Sequence, residues 1–128
     1  MATLAILAPV GCSIGADEEP KPASGPAAAV AAAVERVERA IASRDFTAVC
    51  DELFTATARR RSGGDECEAQ LRSAAEGVRR PSIDVHRITV AGDSATVEVT
   101  TRAEGQARVR DELRMRRVDG RWRVEALS

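Results

Sequence analysis

Two side chains in this sequence could together support acid–base chemistry: Asp111 and His86, the only histidine. Asp111 lies in the stretch "VRDELRMRRV", where strand alternation places it on one face with Val109, Leu113 and Met115. A carboxylate on an otherwise apolar face is a candidate general base. The alternative is that Asp111 lies near the start of its strand, where it is solvated or paired with an arginine.

The strand that contains His86 changes phase around this residue. Its apolar residues stand at odd positions from Ile83 and at even positions from Ile88. A β-bulge near His86–Arg87 reconciles the two halves, and the even phase turns the imidazole inward. An Asp/His pair with Asp111 is then one hypothesis, typical of a dehydratase or isomerase; a hydrogen-bonded structural histidine is the other.

Other catalytic patterns are missing from the sequence. It has no tyrosine, no Gly-x-Ser-x-Gly elbow, no glycine-rich phosphate loop and no metal-ligand spacing. We therefore expect no cofactor and no metal, and a protein without catalysis is favoured over the enzyme.

The elements that must position these residues begin with helices. A stripe of branched apolar residues at Val30, Val34, Val37 and Ile41 predicts an amphipathic helix from Ala27 to Ser43. Asp45 can cap a second, shorter helix whose inner face ends at Leu53. The stretch "ARRRSGG" breaks this pattern. Asp65 can cap a third helix, with inward residues Cys67, Leu71, Ala74, Ala75 and Val78, that ends before Pro81.

The second half of the chain alternates apolar and polar residues, as half-buried strands do. The predicted strands are Ile83–Val90, Ala95–Thr101, Val109–Val118 and Trp122–Leu127. Gly92-Asp93 and Asp119-Gly120 are tight-turn pairs between them. The sequence therefore predicts an α+β domain in which three N-terminal helices pack on a four-stranded antiparallel sheet, in two layers.

Cys50 and Cys67 fall on the predicted inner faces of neighbouring helices, separated by a short Gly-Gly loop. In an exported protein such a pair forms a disulfide. Closing a loop of this size would contribute about 3 kcal/mol in the chain-entropy model. Two buried free thiols are the alternative, and a zinc site is least favoured because no further Cys or His lies nearby at ligand spacing.

Cys12 follows a short apolar run that ends in "PVGC". This end resembles the lipobox of bacterial lipoprotein signal peptides, in which a cysteine is lipidated and becomes the mature N-terminus. Val10 and Gly11 fit that pattern, whereas Pro9 does not. The leader also lacks a basic start, so we expect that the true translation start lies upstream of Met1. A chance cysteine in an irrelevant N-terminal stretch is the alternative.

These features predict a chain with three parts. Residues 1–12 are the remnant of a signal peptide, residues 13–26 are a flexible acidic and proline-rich linker, and residues 27–128 are one folded domain. We expect the protein to be exported and anchored to the outer face of the cell membrane through lipidated Cys12. A cytosolic subunit-like adaptor, with reduced Cys50 and Cys67, is the rival.

The overall charge does not favour nucleic-acid binding. The formal net charge is −1, so no basic excess attracts a phosphate backbone. Aromatic residues that could stack on bases are scarce, with one tryptophan, two phenylalanines and no tyrosine. Of 19 lysines and arginines only Lys21 is a lysine, a skew that is typical of high-GC coding, as in actinobacteria.

Two stretches, "ITVAGDSATVEV" and "LRMRRVDGRWRVEAL", carry a family resemblance. Their turn order, with a tryptophan after the second turn, resembles the nuclear transport factor 2-like (cystatin-like cone) superfamily, and in particular its short actinobacterial lipoproteins, over about residues 28–127. The resemblance implies a curved sheet wrapped on helices, with a pocket in the concavity. It implies no single function, because members include enzymes, transport adaptors and catalytically silent binding domains.

The favoured function is thus a lipid-anchored extracytoplasmic binding or interaction domain. Its pocket would take a small apolar ligand or a segment of a protein partner, and the sequence does not indicate an oligomeric state. The predicted pocket walls are Val109, Asp111, Leu113, Met115, Trp122 and Val124. Arginines on the opposite face of the last hairpin could dock an acidic partner or lipid headgroups, although Glu112 and Glu125 interrupt them, and a solvated, salt-bridged face is the favoured interpretation.

Overall fold

The computed structural model describes residues 25–128, and the first long element in it is helix α1 (Pro26–Ala42). Proline suits the first helical turn because that turn needs no N–H donor there. The predicted stripe is buried at Val30, Val34 and Val37. The helix stops at Ala42, after which Arg44 has a φ of 60°. The predicted helix is confirmed to within one residue at each end.

The second helical segment starts as α2 (Phe46–Ala48) and continues as one π-helical turn, Val49–Leu53. The predicted cap is confirmed, because the Asp45 carboxylate accepts a hydrogen bond of 3.2 Å from the main-chain N–H of Ala48. Phe46, Val49 and Cys50 are buried. This segment therefore presents one apolar face to the core, as expected.

The first four residues of the stretch predicted to interrupt the helices lie instead in a helix, α3 (Ala56–Arg61). The Thr55 hydroxyl accepts a hydrogen bond of 3.1 Å from the main-chain N–H of Ala58 and so caps it. The helix ends before Gly63, whose φ of 109° is accessible to glycine but strained for other residues. The break predicted for the whole stretch is thus confined to Ser62 and Gly63.

Helix α4 (Cys67–Ala74) is shorter than predicted. Asp65 does not cap it, because this residue lies in a 3₁₀ turn, Gly64–Glu66, that precedes the helix. The helix ends at Ala74, well before Pro81. Of the inward set predicted for it, only Cys67 is fully buried. Leu71, Ala75 and Val78 are half-buried, so α4 covers the domain loosely.

Four strands follow as predicted, with ends shifted by a residue at most: β1 (Ser82–Ala91), β2 (Ser94–Arg102), β3 (Val109–Val118) and β4 (Arg121–Leu127). They form one antiparallel sheet in the order β1-β2-β3-β4. The predicted bulge is confirmed, because Val85 pairs with Val99 and Arg87 pairs with Glu98, which leaves His86 unpaired. A second irregularity, not predicted, leaves Glu125 unpaired in β4.

The core lies between α1 and the concave face of the sheet. The α1 valines pack there against residues of the three last strands: Ala95, Val97, Val99, Leu113, Met115, Trp122 and Val124. Both free edges of the sheet are also occupied. Glu38 of α1 accepts a hydrogen bond from the Ile83 main-chain N–H in β1, and Thr55 donates one of 2.9 Å from its main-chain N–H to the Val124 carbonyl in β4.

The α+β class and the curved antiparallel sheet are as predicted, with four α-helices in residues 25–128 in place of three. None of the helices in residues 25–128 combines the length and the apolar character needed to cross a membrane.

Candidate functional site

The disulfide predicted from the helix faces is present. Cys50 and Cys67 are bonded, with their Cα atoms 6.1 Å apart, and both side chains are buried. The bond joins the π-helical turn after α2 to the first residue of α4. Because α4 buries little else, this bond is its principal attachment to the domain.

The register of the sheet places Asp111 on the concave face. It pairs directly with Val99, which is fully buried, and paired residues of antiparallel strands point to the same side. Asp111 itself is half-buried, two residues from the first residue of β3. Within residues 25–128 no cationic side chain lies within salt-bridge distance of its carboxylate, so the arginine partner considered for it is not seen there.

His86 lies on the other face of the sheet, which corrects the inward orientation predicted for it. Its Nε2 atom is 2.6 Å from the Thr100 hydroxyl. Thr100 neighbours the buried Val99 in β2, so its side chain points away from the core. The bulge leaves His86 and Arg87 together opposite Glu98 and thereby turns the imidazole outward. Asp111 and His86 are separated by the sheet and form no pair.

The His86–Thr100 contact has the atom types of a base and a hydroxyl nucleophile. The contact lies on the outer face of the sheet, however, and is exposed to solvent, whereas such a pair acts in enzymes within a site that excludes water. The geometry fits a structural hydrogen bond across β1 and β2.

The six residues predicted to line a pocket divide into two groups. Trp122 contributes to a recess of about 440 Å³ beside Leu53 and Gly120, but Leu113, Met115, Trp122 and Val124 are all buried in the main core. The reason is that the α1 valines fill the concavity above them, which strand phase alone could not reveal. Asp111 and Val109 lie further along β3, beyond that contact, and the Val109 side chain is 50% exposed.

An open apolar recess of about 230 Å³ lies at this end of the concave face. Its lining includes Val109 and Ile83 of the strands, Ile41 of α1, and Val78 and Pro81. Of the predicted walls only Val109 contributes to it. Ile41 belongs to the predicted α1 stripe, whereas Val78 and Pro81 lie in the irregular segment between α4 and β1, where no periodicity marks them.

The described part of the chain holds no cluster of three or more histidine, cysteine or acidic side chains that could bind a metal ion.

Comparison with solved structures is informative about the fold. A protein of unknown function from Silicibacter pomeroyi, described as NTF-2 like, matches with a TM-score of 0.59 and 24% identity over 78% of this chain and 90% of that one. A putative NTF2-like transpeptidase from Campylobacter jejuni matches with a TM-score of 0.55 and 13% identity, over 76% and 97% of the two chains. The chain has the nuclear transport factor 2-like fold.

A de novo designed NTF2 fold protein also matches, with a TM-score of 0.55 and 16% identity over 81% of this chain and 87% of that one. No protein-family model and no curated protein matches the sequence. The nuclear transport factor 2-like neighbours thus include a protein of unknown function, a putative transpeptidase and a design. The fold fixes where a concave pocket can form but not what occupies it.

Cys12 and almost all of the linker assigned to residues 13–26 lie outside the described residues.

Proposed function

We propose that this chain is a lipid-anchored, extracytoplasmic binding domain without catalysis, and that it takes a small apolar ligand or an apolar segment of a partner protein. The observation that carries the proposal is the recess around Val109, whose lining is mainly apolar and open to solvent. Ligand sites of this kind are concave and mostly apolar. Two of its lining residues, Ile41 and Ile83, also pack against the buried core.

The Cys50–Cys67 disulfide supports a location outside the cytoplasm, since such bonds persist in oxidising compartments. The lipobox-like "PVGC" supports an anchor at Cys12, and the linker after it would allow the domain to stand clear of the membrane. Binding and anchoring are separate parts of the proposal and require separate tests.

Binding is tested by titrating the chain with a neutral, environment-sensitive apolar dye. Val109→Glu places a charge at the wall of the recess and should weaken dye binding by about tenfold, because burying an unpaired charge against an apolar ligand is unfavourable. Val85→Glu is the matched control, since Val85 is also an exposed valine of the sheet but does not line this recess. Equal loss in both variants, or no saturable binding to the unmutated chain, would refute the binding role.

Anchoring is tested by palmitate labelling of the native gene product, with Cys12→Ala as the control. We expect label and membrane association in the unmutated protein and neither in the variant. An unlabelled, soluble native product would refute the anchor and leave the binding role to be judged by the dye experiment alone.

A further inference from the structure

A second recess, of about 490 Å³, lies beside β4 at the edge where the segment after α2 meets the sheet. Its lining includes the run Phe54–Ala56, the side chains of Arg59 and Arg123, and Asp51, the only acidic residue among them. It shares no lining residue with the apolar recess around Val109. Any role for it is therefore independent of the function proposed above.

Arg123 is held in place by main-chain groups. Its Nη1 atom donates to the carbonyl oxygens of Asp51, at 3.3 Å, and Phe54, at 3.5 Å. These neutral acceptors orient the guanidinium at the recess, and within residues 25–128 no carboxylate lies within salt-bridge distance of it. A cation fixed in this way loses little rotamer freedom when an anion binds.

Arg59 reaches the same recess from α3. Its Nη2 atom lies 3.6 Å from the Asp51 carboxylate, which is too long for a good hydrogen bond. The two side chains are 43% and 50% exposed, so water screens the pair. In both Arg59 and Arg123 the Nε atom is shielded from water and has no acceptor in the described part of the chain. Each of the two arginines therefore has a buried N–H donor without an acceptor.

A third arginine lies on the strand next to β4. Arg116 of β3 is the direct cross-strand neighbour of Arg123, and like charges in that position destabilise a sheet. Arg116 does not line this recess but a neighbouring one, together with Glu125. The recess itself is lined by two arginines, Arg59 and Arg123, and by one carboxylate, that of Asp51. A bound anion would offset the guanidinium charge that this single carboxylate leaves uncompensated.

We propose that this recess is a binding site for a phosphate group, held by the guanidinium groups of Arg59 and Arg123. Planar guanidinium forks bind phosphate oxygens in pairs. Two forks that approach from different elements suit a tetrahedral anion, whose oxygens point in different directions. The recess is open on one side, so a phosphate ester fits as well as the free ion.

The test is a calorimetric titration of the full 128-residue chain with inorganic phosphate, against chloride at equal ionic strength. Arg59→Gln and Arg123→Gln should each weaken binding by about tenfold or more, the loss expected for a charge-assisted pair of hydrogen bonds. Arg60→Gln is the matched control, because it removes the same charge from the same helix at a residue that does not line the recess. Asp51→Asn should tighten binding, because it removes the competing carboxylate.

Tightening by Asp51→Asn is the decisive result, because a variant that merely damages the fold would not bind better. If Arg123→Gln fails to fold, Arg59→Gln and Asp51→Asn still decide the question. The proposal is overturned if phosphate binding is not saturable, if Arg60→Gln weakens it as much as Arg59→Gln does, or if Asp51→Asn weakens it.

A second arm distinguishes a membrane phosphate from a soluble one. Unlipidated chain is mixed with phosphatidylglycerol vesicles in the presence and absence of excess inorganic phosphate. Vesicle binding that is lost in Arg59→Gln and displaced by phosphate identifies a lipid headgroup as the source. Phosphate binding without vesicle binding identifies a soluble phosphate compound, and either result supports the site.

Discussion

Glu38 of α1 accepts a hydrogen bond from the main-chain N–H of Ile83, at the free edge of β1. An edge strand otherwise presents unpaired main-chain groups that can pair with another chain. This contact satisfies one of those groups and attaches the first helix to the first strand. The hydrogen bond from Thr55 to Val124 lies at the opposite edge of the sheet, in β4.

Replacement of Glu38 is expected to destabilise the domain through this contact. Glu38→Ala leaves the half-buried Ile83 N–H without its acceptor and should lower the free energy of unfolding by about 1–3 kcal/mol. Glu38→Gln, whose side-chain oxygen can still accept, should lose less. Urea denaturation measures both, and Glu35→Ala, at an exposed position of the same helix, is the control. An equal loss from Glu35→Ala would assign the effect to the removal of any carboxylate from this helix rather than to the contact with Ile83, since alanine is itself the better helix former.

Removal of the disulfide should cost stability chiefly by freeing the unfolded chain. The bond closes a loop with a sequence separation of 17 residues, so Cys50→Ser with Cys67→Ser should lower the free energy of unfolding by about 3 kcal/mol. Denaturation of the oxidised chain with and without a reductant gives an independent value.

Amide hydrogen exchange should show which part of the domain loses stability when the disulfide is removed. Since α4 buries little besides Cys67, its amides should exchange faster in the double variant than those of β2 and β3. Uniform acceleration throughout the domain would contradict the view that the bond mainly attaches α4.

The same strand of the concave face contains both a core residue and an exposed one. Met115 is 2% exposed and packed in the core, so Met115→Ala should destabilise the domain by about 2–5 kcal/mol. Val109→Ala, at the open end of β3, should change stability by no more than about 0.5 kcal/mol. Thermal unfolding of the two variants separates the filled part of the concavity from its open end. Comparable losses would mean that Val109 is packed as well.

Much of the fold follows from periodicity, and what does not follow has a physical reason. The α1 stripe, the Asp45 cap and the strand alternation are local signals, and the change of phase at His86 marks the bulge. The short helix α3 begins at a Thr55 cap. The arginine-rich stretch after it has no apolar periodicity that predicts a helix. The end of α4 at Ala74 could not be predicted from the apolar pattern, because Ala75 and Val78 continue that pattern beyond it.

The candidate sites were harder to predict, because they depend on which elements meet. Strand phase places Asp111 on the inner face, but whether a concave residue lines a pocket or the core depends on how far α1 extends over the sheet. A bulge also turns its own side chain in a direction that simple alternation does not give, which is why His86 points outward. Arg59 and Arg123 are 64 positions apart in the sequence, and only the fold brings them to one recess.

Arg117 connects the two hairpin turns at one end of the sheet and covers the only tryptophan. Its Nε donates to the Asp93 carboxylate at 2.8 Å, and its guanidinium lies 5.7 Å from the centre of the Trp122 ring. Arg117→Ala removes both contacts and should destabilise the domain by about 1 kcal/mol, since an exposed ion pair and an exposed cation–π contact each contribute less than that. The Trp122 fluorescence of the folded variant should differ from that of the unmutated protein, because the guanidinium no longer covers the ring.

Asp93→Asn separates the two contributions made by Arg117. It weakens the ion pair but leaves the guanidinium free to stay over the ring, so we expect a small, salt-dependent loss of stability with nearly unchanged fluorescence. The comparison is made by fluorescence-monitored urea denaturation at low and high salt. If Asp93→Asn changes the Trp122 signal as much as Arg117→Ala does, the carboxylate is required to hold Arg117 over the ring, and the two contacts form one coupled unit.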